Sequence, residues 1–142
     1  MPIVHLTSRT NPVIQTLRLV ASVSRRAPKD LVAAEGIRVL EEIETRGAAV
    51  QAVVLSEGFG MAPREKKLLD RWNAGKVRLY RTTESIFKPL SQVRSTQGAI
   101  ALVRLPRLSL DAVHPGTAPL LVFAADLQDP GNLGTVIRTA AA

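Results

Sequence analysis

Apolar residues along this 142-residue chain recur in two alternating rhythms, a helical spacing and short continuous runs. Val13, Leu17 and Val20 repeat at helical spacing behind Asn11-Pro12, a pair that suits the N-cap and first position of a helix. The pattern decays by Ser24 to Pro28. Leu31 to Ala34 reads as a buried strand that Glu35-Gly36 breaks, and Ile37, Leu40, Glu41 and Glu44 then begin an amphipathic helix that Gly47 can end. Val50 to Leu55 is the next strand, Pro63 to Trp72 a helix with Leu68, Leu69 and Trp72 on one face, and Val77 to Tyr80 a further strand. A short helix around Thr83 to Leu90 and a strand over Gly98 to Val103 close the series, while Met1 to Arg9 reads as an extended lead-in. Alternating strands and helices predict an α/β layered sheet.

After residue 105 the rhythm changes. Pro106, Pro115 and Pro119 break the 106–118 stretch, which reads as a linker in which Leu108, Leu110 and Val113 dock a short turn. An apolar run, Leu120 to Ala125, then leads through Asp129-Pro130-Gly131-Asn132 to a helix opening at about Leu133. Strand, turn and helix in that order place a helix N-terminus at a ligand crevice. Gly134 permits close backbone approach there, and Arg138, one turn deeper, can reach back toward the same place. Read from residue type alone, Asn132 can hold its turn by bonding its own backbone. Arg138 has the alternative of an ion pair with Asp126 or Asp129.

Charge sharpens this division. Residues 1–108 carry 18 of the 19 Lys and Arg and 9 of the 12 Asp and Glu, whereas residues 109–142 carry one and three. A basic N-terminal part next to a near-neutral C-terminal part suits a polyanion grip joined to another task. Arg9, Arg25, Arg26 and Arg38 are the best candidates for phosphate contact, since guanidinium forks match phosphate oxygens. Lys66, Lys67 and Arg71 fit a solvated helix face better. Aromatic content is only 4%, so the core must be aliphatic, with Trp72 and Tyr80 as core or rim residues. Without cysteine there is neither a disulfide framework nor a Cys-based zinc site, and His5 and His114 are too far apart to suggest a metal pair. No apolar run is long enough for a membrane span and no signal pattern opens the chain, so a cytoplasmic location is expected.

Asn132, Gly134 and Arg138, with the flanking Asp129-Pro130 and Thr139-Ala140, resemble the first signature motif of the SpoU (TrmH) family of RNA ribose 2′-O-methyltransferases. His5 to Pro12, Arg25-Arg26, Glu35-Gly36-Ile37-Arg38 and Gln97-Gly98 are similar to the L30e-like substrate-binding domain that precedes many such enzymes, with Thr96 where a proline often stands. The resemblance implies residues 1–105 as an L30e-like RNA substrate-binding domain, 106–118 as a linker and 119–142 as the truncated beginning of a SPOUT (trefoil-knot) methyltransferase domain. It implies S-adenosyl-L-methionine as cofactor, held mostly by a missing C-terminal portion. It implies ribosomal or transfer RNA as partner, a homodimer for the full-length protein, and an inactive fragment here. Asn132 and Arg138 inherit catalytic candidacy, and Gly134 joins Arg9, Arg25, Arg26 and Arg38 as an RNA-contact candidate. A free guanidinium is a poor base, so Arg138 is expected to orient the ribose or phosphate and to stabilise developing alkoxide charge. Two other readings are a stand-alone, non-catalytic L30e-like RNA-binding module and a nucleotide-binding α/β protein whose terminal loop cradles phosphate.

Overall fold

The computed structural model describes residues 2–93, 95–106, 109, 111 and 121–141. The chain divides into two compact units, Met1–Arg107 and Leu108–Ala142.

In the first unit the apolar runs become strands β1 (Val4–Leu6), β2 (Leu31–Glu35), β3 (Ala49–Ser56), β4 (Leu79–Thr82) and β5 (Ala99–Arg104) of one mixed sheet. Their spatial order is β1-β4-β3-β5-β2. β1 pairs with β4 and β4 with β3 in parallel, while β5 runs antiparallel to both β3 and β2. Strands β1 to β4 therefore all point the same way. Period-two alternation splits the central strands between two apolar layers. Val53, Leu55, Ala99, Ala101 and Val103 pack with Leu40, Leu68 and Trp72 on one face, where Trp72 stacks on Phe59. Val54, Ile100 and Leu102 pack with Ile14, Leu17 and Phe87 on the other. Those partners come from helices α1 (Pro12–Ala21), α2 (Ile37–Thr45), α3 (Pro63–Ala74) and α4 (Glu84–Phe87), the last continuing into a 3₁₀ turn, Lys88–Leu90. The mixed α/β layered fold is as the pattern predicts.

Asn11 caps α1 as expected, its carboxamide oxygen accepting from the Val13 N–H at 2.9 Å. One expectation fails, for a local reason. β4 begins at Leu79, not Val77, because the Val77 and Lys76 N–H groups bond back to the Trp72 and Asn73 carbonyls and finish α3. The extended lead-in contributes a strand, β1, since Val4 to Leu6 find a parallel partner in Tyr80 to Thr82.

In the second unit, helix α5 spans Pro130–Ala140, one turn earlier than its expected start at Leu133. Asp129 is the reason: its carboxylate accepts from the Gly131 N–H at 2.6 Å, and Pro130 occupies the first helical position. Asp-Pro-Gly-Asn is thus a helix start, not a free turn. The strand expected over 120–125 does not form among the described residues 121–125, which carry no ladder pairing. A strand exists only against a partner, and apolarity supplies none. Leu120, most of the expected linker and the docking residues Leu108, Leu110 and Val113 lie outside the described residues, as does His114.

Candidate functional site

The shared direction of β1 to β4 gathers the segments that follow them, together with the approach to β5, at one end of the sheet. Such carboxyl ends are where open α/β sheets place ligand contacts. Glu35, the last residue of β2, accepts from the hydroxyls of Ser91 (2.7 Å) and Thr96 (2.8 Å) and from the Gln92 N–H (3.1 Å). It ties down Ser91, Gln92 and Thr96, a role beyond the turn device that the sequence suggests. Gln97 then reaches across to α2, its carboxamide oxygen accepting from the Ile37 N–H at 2.6 Å. A side chain sixty residues away therefore caps the helix that carries Arg38. Gly98 follows with φ +78°, packed so tightly that an added β-carbon would lie 2.7 Å from Ser56 Oγ. Arg81 donates to the carbonyls of Glu57 (2.8 Å) and Phe59 (2.9 Å) and fixes the loop after β3. Sequence reasoning misses Arg81, because an arginine between Tyr80 and Thr82 carries no local signal.

Two of the four phosphate candidates sit at this end. Arg38 is exposed in the first turn of α2. Arg9, exposed after β1, donates one N–H to the Ser85 carbonyl at 3.2 Å, which orients its fork without neutralising it. Arg25 and Arg26 do not join them. They occupy the turn after α1, where the Ala27 N–H bonds the Ser24 carbonyl, and α1 carries the chain about 15 Å away from Arg9. The candidates therefore form two groups at opposite ends of the sheet. Among the described residues the arginines in ion pairs are others: Arg46 with Glu42, Arg64 with Glu41, Arg71 with Glu44 and Arg104 with Asp30. The Glu41 and Glu44 pairs join α2 to α3, so Arg71 is engaged within the fold. The Arg64 hydrogen bond holds the Glu41 carboxyl below its ordinary value and raises Arg64 in turn.

On α5, Asn132 lies exposed in the first turn. Thr135 Oγ1 donates to the Gly131 carbonyl at 3.0 Å, and Arg138 Nη2 donates to Thr135 Oγ1 at 3.2 Å. The guanidinium thus folds back along its own helix. An alanine β-carbon at Gly134 would stand 3.3 Å from Arg138 Nη1. The pairing of Arg138 with Asp126 or Asp129 is absent among the described residues, where the ion pairs all lie in the first unit. All described residues of this unit are exposed except Gly134 and Val136, which are half-buried.

A family model of the MRM3-like substrate binding domain matches residues 11–101. A relative described as an uncharacterized tRNA/rRNA methyltransferase of Synechocystis is 29% identical over 143 residues, 99% of this chain and 50% of its own length. The crystal structure of an RNA 2′-O ribose methyltransferase superposes with a TM-score of 0.69 at 30% identity, covering 96% of this chain and 51% of that one. An rRNA methyltransferase from Sinorhizobium meliloti gives 0.69 at 21% identity, over 97% and 51% of the two chains. The SpoU methyltransferase AviRb from Streptomyces viridochromogenes, solved with AdoMet, gives 0.62 at 16%, over 92% and 47%. At those identities the last two establish the fold. The chain spans about half the length of the relatives it matches.

Proposed function

The chain belongs to the MRM3-like substrate binding domain family, and from that premise we propose that it is the RNA-gripping part of an S-adenosylmethionine-dependent RNA ribose 2′-O-methyltransferase acting on ribosomal or transfer RNA. One observation carries the reading. Arg9, Arg25, Arg26 and Arg38 are exposed and make no ion pair among the described residues, whereas four other arginines are paired. Guanidiniums left available at a protein surface suit phosphate oxygens, which fix position and register on RNA without reading sequence. The L30e-like character of residues 1–105, a linker over 106–118, the start of a SPOUT domain at 119–142, homodimerisation and a cytoplasmic location belong to the same proposal.

Arg138 and Asn132 are the residues for the reaction itself. Arg138 is a cation permanently available to orient a ribose or phosphate and to stabilise an alkoxide, while a guanidinium that never deprotonates removes no proton. Gly134 lets that guanidinium lie against the helix backbone. The cofactor is a different matter. A nucleoside-sized ligand is normally largely enclosed, and the exposed or half-buried described residues 121–141 do not by themselves enclose one. S-adenosylmethionine therefore needs residues beyond these, and this chain's part is to bind and position RNA.

Fluorescence anisotropy with labelled ribosomal and transfer RNA fragments tests the grip. Exposed charge contacts contribute about 0.5–1 kcal/mol each, so replacing all four arginines by alanine weakens binding about 30-fold or more. Arg46→Ala, at a position engaged with Glu42, has little effect. Equal losses from both variants, or none from either, would overturn the assignment.

A further inference from the structure

The turn between α1 and β2 breaks a local rule. Val23 sits at the position after the helix cap, with φ +51°, while the Val23 and Ser24 N–H groups close the helix end on the Val20 and Leu19 carbonyls. Glycine is the usual residue there, and a β-branched side chain in the left-handed region is strained. Packing does not explain the valine, because it is 85% exposed. It lines a surface cavity of about 430 Å³ together with Ala27, Ala33, Arg25, Lys29 and Gln92. The Gln92 carboxamide N–H₂ donates to the Ala21 carbonyl, which closes one wall, and its oxygen accepts no bond among the described residues. Arg25, Arg26 and Lys29 bring three cations to five residues, and the neighbouring carboxylate, Asp30, is already engaged by Arg104.

We propose that this cavity receives an unpaired RNA base, with Val23 against the base face and Arg25 and Lys29 on the flanking phosphates. The inference rests on the RNA-binding reading above and extends it to single-stranded substrate. Cations alone suffice for a duplex, which offers phosphates and sugar edges but keeps its base faces stacked. An apolar hollow beside an exposed, strained valine suits a flat face taken out of the stack. A basic partner is repelled here, and an acidic peptide is the rival occupant.

The test uses the full chain with a labelled ten-nucleotide oligouridylate, an RNA duplex of equal length, and oligoglutamate as competitor. Val23→Gly removes the apolar face and relieves the strain, so melting temperature rises by ~2–4 °C while affinity for oligouridylate falls about 5–10-fold. Ala27→Leu, which narrows the cavity, lowers the same affinity. Duplex affinity is unchanged by either, and Arg25→Ala with Lys29→Ala lowers both. If oligouridylate and duplex respond alike to Val23→Gly, or neither responds, the base pocket is refuted and the RNA grip stands. Displacement by oligoglutamate as effective as by RNA also refutes it. Failure of the unsubstituted chain to bind either RNA overturns both readings.

Discussion

Replacing Gly98 by alanine tests the joint on which the carboxyl end of the sheet depends. Gly98 has φ +78°, its carbonyl accepts from the Ser56 N–H at 2.8 Å, and its own N–H donates to Thr96 Oγ1 at 3.2 Å. An alanine there adopts a left-handed conformation at a cost of about 1–2 kcal/mol. Its β-carbon would also stand 2.7 Å from Ser56 Oγ and 3.4 Å from the Phe59 ring. Both neighbours are buried, so overpacking adds about 1–3 kcal/mol. The stiffer unfolded chain returns about 0.4–1 kcal/mol. The net loss is ~1–5 kcal/mol, a sizeable share of the 5–15 kcal/mol typical of a domain. Urea denaturation of the 142-residue chain followed by circular dichroism measures it. Gly58→Ala is the control, because a β-carbon at Gly58 meets nothing within 4 Å. Adding Ser56→Ala to Gly98→Ala restores about 1 kcal/mol by removing the clash while leaving the backbone strain. A Gly98→Ala protein within 0.5 kcal/mol of the parent, below the ~1 kcal/mol expected for a left-handed alanine alone, would refute the reasoning.

Two further outcomes are expected. Because the Arg64 hydrogen bond holds the Glu41 carboxyl below its ordinary value of 4.5, their pairing contributes fully above that pH and is lost as pH falls through the lower folded value. Melting curves from acid to neutral pH should show Glu41→Gln slightly less stable than the parent at neutral pH and equal to it at the acid end, with the neutral difference shrinking in high salt; a difference independent of pH would contradict the pairing. Since the described residues 121–141 do not enclose a cofactor, the chain incubated with RNA and methyl-labelled S-adenosylmethionine should transfer no label, and transfer above background would show that those residues suffice.

Much of the first unit is legible because its signals are local. Asn11-Pro12 announces α1, Gly47 ends α2, and aliphatic runs, broken in β3 only by Gln51, mark β2, β3 and β5. Misreadings arise where one residue serves two grammars. Val77 has strand character, but its N–H is spent on the end of α3. Asp129-Pro130 reads equally as a turn or a helix start, and the Asp129 side chain decides for the helix. The run at 121–125 is apolar enough for a strand, yet a ladder needs a second strand and no local pattern guarantees one. The candidate site shows the same split. Residue type selects Arg9, Arg25, Arg26 and Arg38, but only the topology separates them into two ends. The link from Gln97 to Ile37 and the grip of Arg81 on the loop after β3 span about 60 and 20 residues, distances over which sequence periodicity is silent.

The central claim is that this chain grips RNA through arginines left available at its surface, and salt dependence of binding tests it most directly. Four phosphate contacts on single-stranded RNA release counterions with a slope of log affinity against log salt of about −0.7 per contact, or roughly −3 in total. Anisotropy titrations with a ribosomal RNA fragment from low to physiological salt should give that slope, reduced by about 0.7 for each of Arg9, Arg25, Arg26 and Arg38 replaced by alanine. A slope near zero, or one unchanged by those substitutions, would contradict the claim.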